Sequence, residues 1–208
     1  MTDARRLHRD QLAIATIEAA QRLLGCFVVT DRGGRCVGRI VETEAYLGTG
    51  DLASHAATRR TGRVAIMAGQ AGIAYIYRSY GLHAMLNVVA KPDGATGAVL
   101  IRALEPLEGL DLMRKRRGVA SDRLLCGGPG RLCQALGVTL DDQGVDLITA
   151  TDLYLLDGAP LVAMMAGSRI GITRAVDEAY RFFEAGSPYV SAHKRGTPIK
   201  IVPSGALP

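Results

Sequence analysis

In GRIVETEAYLG, Gly38 to Gly48, two carboxylates and a tyrosine close an apolar run that otherwise reads as a buried strand. Side chains alternate between strand faces, so regular extension points Ile40, Glu42, Glu44 and Tyr46 one way and Val41, Thr43 and Ala45 the other. Glu44 and Tyr46 become neighbours. Further along stand His55, Tyr77 and Tyr80, then Asn87 in MLNVV and Arg102 in LIRALEP. Aromatic residues are scarce, 7 Tyr and 3 Phe with no Trp, so the three tyrosines of AYIYRSYG are a concentration. Flat rings beside a carboxylate and arginines suit a flat, electron-poor ligand, of which a purine base is one.

Each residue also has a plainer use. A strand-end Glu is usually a solvated carboxylate, tyrosines at this spacing pack in cores, and a loop histidine sits at the surface. An inward Asn is tied to backbone, and a strand arginine beside Glu44 is a structural ion pair. Glu42 has no assigned chemistry and reads as a surface carboxylate or a structural hydrogen-bonding group.

The elements that must position these residues follow from the pattern. Leu12 to Leu24 has helical spacing, with Gly25 as its C-cap. CFVVT and CVGRIVETEAY are two strands of a hairpin across DRGGR. Thr49 to Arg63 is a long loop carrying His55 and three arginines, and long loops in compact domains are often functional. Ile73 to Tyr77, His83 to Ala90 and Ala98 to Ala103 form an antiparallel meander. Pro106 opens a helix through PLEGLDLMRKRRG, and a second covers Pro129 to Leu136. LYLLDG, VAMMAGSRIGIT and FFEAGSPYVS read as further strands and turns. The predicted fold is α+β: a single domain over residues 1–208 with a curved, largely antiparallel sheet and flanking helices, residues 1–11 and 196–208 fraying.

Composition narrows the function classes. The 208 residues are 48% hydrophobic and 22% charged, with no apolar run near the roughly 20 residues of a membrane helix. The polar start, MTDARRLHRD, lacks a secretory apolar region, which predicts a cytoplasmic protein with no membrane association. Cys26, Cys36, Cys126 and Cys133 match no zinc or redox spacing and read as reduced, buried thiols. The four histidines show no paired spacing, so no metal site is expected. Lys and Arg total 25 against 20 acids, for a net charge of +5. The basic residues cluster as RRLHR, RRTGR and RKRR, which would track phosphates if they shared a face.

GRIVETEAYLG, SHA at Ser54 to Ala56, YIYRSYG, MLNVV, VLIRALEPLEGLDLMR, GGPGRLCQALGV and AGSPYVS occur in that order. Together they make the chain resemble the alkyladenine (3-methyladenine) DNA glycosylase family, in a bacterial member of the mammalian type, from about Leu12 to about Ser191. The resemblance implies an enzyme that binds damaged double-stranded DNA as a monomer. It flips an alkylated or deaminated purine out of the stack and hydrolyses the N-glycosidic bond without cofactor or metal. In that role Glu44 is the general base for water and Arg102 helps hold that water. Tyr46, His55 and Tyr77 sandwich the flipped base, and Asn87 crowds the purine 2-position against guanine. Tyr80 inserts into the duplex, and Gly186 and Ser187 offer backbone N–H groups to a phosphate. Two rival functions stay open: a non-catalytic damaged-DNA binding module of the same fold, and a small-nucleoside hydrolase needing neither wedge nor basic clusters.

Overall fold

The computed structural model describes residues 4–58, 61–79, 81–191 and 196–199, with the side chains of Thr58 and Arg63 left out. Tyr80, His193, and Arg59 and Arg60 of the second basic cluster lie outside the described residues. Nine strands make one antiparallel sheet whose trunk is β2, Cys36–Leu47, paired along its length with β5, Gly97–Glu108. On its other edge β2 pairs first with β1, Phe27–Thr30, and then with β8, Arg181–Glu184. Beyond β5 come β4, His83–Val89, and β3, Ala74–Ser79. Beyond β8 come β7, Met164–Gly167, and β9, Thr197–Ile199, while β6, Leu153–Leu156, pairs with β1.

Helices cover one face. α1, Thr16–Arg22, sinks Ala19 and Ala20 onto β2 and β5, where Thr43 donates to the Ala20 carbonyl at 2.8 Å. α3, Leu110–Arg117, packs beside α4, Pro129–Leu136, which buries Leu132, Cys133, Ala135 and Leu136 and lies on β4 and β5. A short α2, His55–Thr58, interrupts the loop after β2. All four cysteines are free and buried. No helix among the described residues is long and apolar enough to cross a membrane.

Three expectations need correction. The helix expected over Leu12 to Leu24 is shorter: α1 covers Thr16–Arg22, and Leu12 caps the preceding 3-10 turn at Arg9–Gln11. Pro106 does not open a helix: β5 runs through it to Glu108, and Pro106 faces Gly38 of β2. Leu104 turns its N–H outward to the Cys126 carbonyl, and Pro106, two residues on, lies on that same outer edge, where a missing N–H breaks no ladder bond. The helix begins only after Gly109, at φ 78°, where an added Cβ would stand 2.3 Å from the Arg35 carbonyl oxygen.

The third correction concerns β2 itself, because its register with β5 slips between Ile40 and Thr43. Ile40, Thr43 and Ala45 face the helix-covered side, as do Leu104 and Ile101 of β5. Val41 packs instead with Ala103 and Phe183 on the other side, where Glu42, Glu44, Tyr46 and Arg102 also lie. Consecutive residues, Val41–Glu42 on one strand and Arg102–Ala103 opposite, thus share a face. Such irregularities re-aim side chains next to active sites. The slip puts Val41 in place of Ile40 among the residues on the face of Glu44.

Candidate active site

Register lines build the site. Tyr75 of β3 faces Asn87 of β4, Asn87 faces Leu100 of β5, and Leu100 faces Glu44 of β2. One row across four strands therefore carries a ring, an amide, an apolar side chain and an acid. The flanking rows add Tyr77 opposite Met85 and Tyr46 opposite Ala98. Above this floor lies a cavity of about 490 Å³, well inside the usual range for small-molecule sites.

Its aromatic wall is Tyr46, Tyr75, Tyr77 and His55. His55 meets Tyr77 edge to face at 4.6 Å between centroids, and its Nδ1 lies 2.8 Å from the Tyr75 hydroxyl. Tyr75 and Tyr77 are tilted by 36° at 5.7 Å. Met67 and Met85 add polarizable thioethers, and the 170–174 segment closes the remaining side. Asn87 donates from Nδ2 to the Tyr75 and Met85 carbonyls at 3.0 and 3.1 Å, which fixes its amide and turns Oδ1 to the cavity.

Glu44 is completely buried behind this wall. Its Oε1 accepts from the Ile170 N–H at 2.7 Å and its Oε2 from the Tyr46 hydroxyl at 2.8 Å. Arg102 Nη1 stands 3.2 Å from Oε2. Tyr46, Arg102 and Ile170, the three groups that hold Glu44, all line the cavity, and Glu44 lies directly behind them. Burial pushes the Glu44 carboxyl above its ordinary range, against the opposing pull of Arg102, the Ile170 N–H and Tyr46. Burial and the negative charge of Glu44 push the Tyr77 phenol up to about 12 and raise that of Tyr46 as well.

Glu42 is not a surface carboxylate. It is fully buried, held by Arg181 Nη1 at 3.0 Å and by the Ser191 N–H and hydroxyl at 2.8 and 2.9 Å. That bond ties the residues after Gly186–Ser187 to the site's back wall. Gly186 adopts φ 77°, and Ser187 is buried with its hydroxyl accepting from the Tyr189 N–H at 3.4 Å. Neither residue lines the cavity.

Glu44, Tyr46, His55, Tyr77, Asn87 and Arg102 therefore come together as a group. Sequence reasoning missed Tyr75, Met67, Met85 and the 170–174 wall. Tyr75 was visible in principle, since it shares a strand face with Tyr77 at a spacing of two. In the first and third basic clusters, several arginines are engaged within the protein. Arg114 pairs with Asp111 and Asp122, Arg116 turns inward to the Ala135 and Arg32 carbonyls, Arg9 is held by Asp146, and Arg6 lies over the Tyr154 ring. Besides Arg102, the cation on the cavity lining is the exposed Arg174.

Comparison with known proteins is consistent along the chain. Residues 10–188 match the family model described as methylpurine-DNA glycosylase (MPG). A protein of Chlorobaculum parvum named "Putative 3-methyladenine DNA glycosylase" is 44% identical over 200 residues, covering 94% of this chain and 95% of its own length. Proteins of the same name from Chlorobaculum tepidum and Nitrosospira multiformis are 46% and 47% identical over 201 and 177 residues, covering 94% and 85% of this chain and 95% and 89% of their own lengths.

Proposed function

The chain belongs to the methylpurine-DNA glycosylase family, and from that premise we propose that it excises 3-methyladenine and related damaged purines from double-stranded DNA in base excision repair. The observation that carries the reading is a buried, arginine-paired Glu44 behind a cavity of about 490 Å³ lined by Tyr46, Tyr75, Tyr77 and His55.

The damaged nucleotide turns out of the duplex and its base enters between Tyr46, Tyr77 and His55. Alkylation leaves a purine cationic or electron-poor, and such a ring on aromatic faces gains about 0.5–2 kcal/mol from cation–π attraction. Asn87 crowds the 2-position, where guanine carries an amino group and adenine does not. Tyr80 fills the space left in the stack.

Water stands in the gap framed by Arg102, Tyr46 and Ile170. Glu44 takes its proton as the oxygen bonds to the sugar C1′. The C1′–N bond breaks, its electron pair leaves with the base, and the sugar is left as an abasic site. A positioned base typically contributes 10²–10⁴-fold. Its raised pKa makes Glu44 a stronger base once ionised, while Arg102 pulls the other way and favours the ionised form. No lysine lines the cavity among the described residues, so hydrolysis proceeds by water without a Schiff base.

Duplex oligonucleotides, each with one lesion opposite its normal partner, test the reading with the wild type and Glu44→Gln in parallel. Release of 3-methyladenine by the wild type, with Glu44→Gln binding but nearly inert, is the expected result. Tight lesion binding without release by either protein would make the chain a damage-binding module.

A further inference from the structure

Asp51 and Arg169 form a further buried ion pair, with side chains 2% and 0% exposed, beside the pairs of Glu42 and Glu44. Arg169 reaches Asp51 with both terminal nitrogens, at 2.5 and 2.8 Å, and its Nη1 also donates to the Ala45 carbonyl at 2.9 Å. Asp51 in turn accepts from the N–H groups of Leu47 and Ala53, at 3.0 and 3.1 Å. The pair therefore joins three things: the β2 edge between Glu44 and Tyr46, the 47–53 loop, and the 168–174 segment.

What it joins is the site. Arg169 is followed directly by Ile170, whose N–H bonds Glu44, and preceded by Ser168, whose carbonyl accepts from Arg181 at 3.0 Å. Its guanidinium lies 4.8 Å from the centre of the Tyr46 ring and 5.2 Å from that of Tyr180. Among the described residues its Nε has no hydrogen-bond acceptor. The guanidinium is seated where it backs the Tyr46 ring.

We propose that the Arg169–Asp51 pair is the positioning element of this site, fixing the Ile170 N–H on Glu44 and the Tyr46 ring behind the base. The inference rests on the excision reading. Around Glu44 stand Tyr46 and Glu42 from β2, Arg102 from β5, Tyr77 from β3, and Arg169 with Ile170 from the closing segment. Loosening the pair frees the Ile170 N–H from the carboxylate, so Glu44 loses a hydrogen-bond donor, the site ionises at higher pH and the reacting groups drift.

The test compares Asp51→Asn and Arg169→Lys with the wild type in single-turnover release from a 3-methyladenine duplex. Asp157→Asn, which breaks the distant Arg22–Asp157 pair, serves as the stability control. Small misplacements of reacting groups cost about 10²-fold. Both site variants should lose about that much rate with duplex affinity retained, and the acid limb of their pH–rate profile should move to higher pH. The control should melt lower with rate and profile unchanged. Should a single variant fail to fold, the double variant Asp51→Leu/Arg169→Met, which removes both charges together, carries the same measurement. Site variants whose rate and acid limb match the control would overturn the inference. A wild type that releases no lesion would instead refute the excision reading, and the inference with it.

Discussion

Glu44 Oε2 lies 3.2 Å from Arg102 Nη1, and the same guanidinium stands 3.4 Å from Glu42 through Nε. One buried cation thus serves two buried acids, with Arg181 3.0 Å from Glu42 as the second cation. Glu42 has Arg181 and Ser191 as well, whereas Glu44 depends on Arg102 for its charge partner. The arrangement leaves Glu44 the acid whose ionisation the site controls.

Stability should report this directly. Burial raises the Glu44 pKa above its unfolded value, so the favourable contribution of its neutral form is present at low pH and lost as pH rises through the folded pKa. Glu44→Gln keeps the neutral form at every pH. It should therefore melt higher than the wild type at pH 8, with the gap closing below the ordinary carboxylate range. A constant gap across a pH series of melting curves would contradict the assignment.

Arg102→Met has the opposite sense. Removing one partner of a buried ion pair costs about 3–5 kcal/mol because the remaining charge is left uncompensated. The loss in denaturant midpoint should be larger at pH 8, where Glu44 must ionise without help, than at pH 5. A pH-independent loss would assign Arg102 to packing.

Tyr46→Phe removes the 2.8 Å hydrogen bond to Glu44 but keeps the ring. The carboxylate loses a donor, its pKa rises further, and the acid limb of the release rate should shift to higher pH. Binding of a lesion duplex should hardly change. Weakened binding with an unmoved limb would make Tyr46 a stacking residue alone.

Asn87→Ser keeps a polar group and removes bulk from the floor opposite Leu100. Release of normal guanine should rise on the order of ten-fold relative to the wild type, the scale of one small steric element in a pocket. Unchanged guanine release, measured on undamaged duplex, would remove Asn87 as the discriminator.

Arg174→Ala probes the cavity rim. Loss of one phosphate contact should flatten the slope of log K against log salt by about one, with the single-turnover rate preserved. An unchanged slope would mean that Arg174 meets no phosphate.

Much of the fold was legible because period-two runs bounded by Gly and Pro turns leave little choice: the meander from β3 to β5 and the hairpin of β1 and β2 follow from it. Pro106 misled because its helix-starting habit outweighed, on paper, the longer apolar run behind it. The pairing that keeps it in β5 comes from β2, distant in sequence. Glu44, Tyr46 and Arg102 could be named from their residue types. The Ile170 N–H could not, since a backbone donor carries no residue signature, and Asp51 and Arg169 lie 118 residues apart. For Glu42 the sequence left a surface carboxylate and a structural hydrogen-bonding group open, and the structure makes it the second, through Arg181 and Ser191 from the far end of the chain.

The matched slip at Val41–Glu42 and Arg102–Ala103 has a consequence for redesign. The two strands share one phase because each carries one extra residue at the same point, Val41 on β2 and Arg102 on β5. Deleting Val41 would remove the slip from β2 alone and leave Arg102 as an unmatched bulge on β5, out of step with Glu44. The acid and its arginine cannot be transplanted as separate motifs into another sheet. Each is in place only because the opposite strand makes the same misstep at the same point, so β2 and β5 are inherited, or engineered, as a single unit.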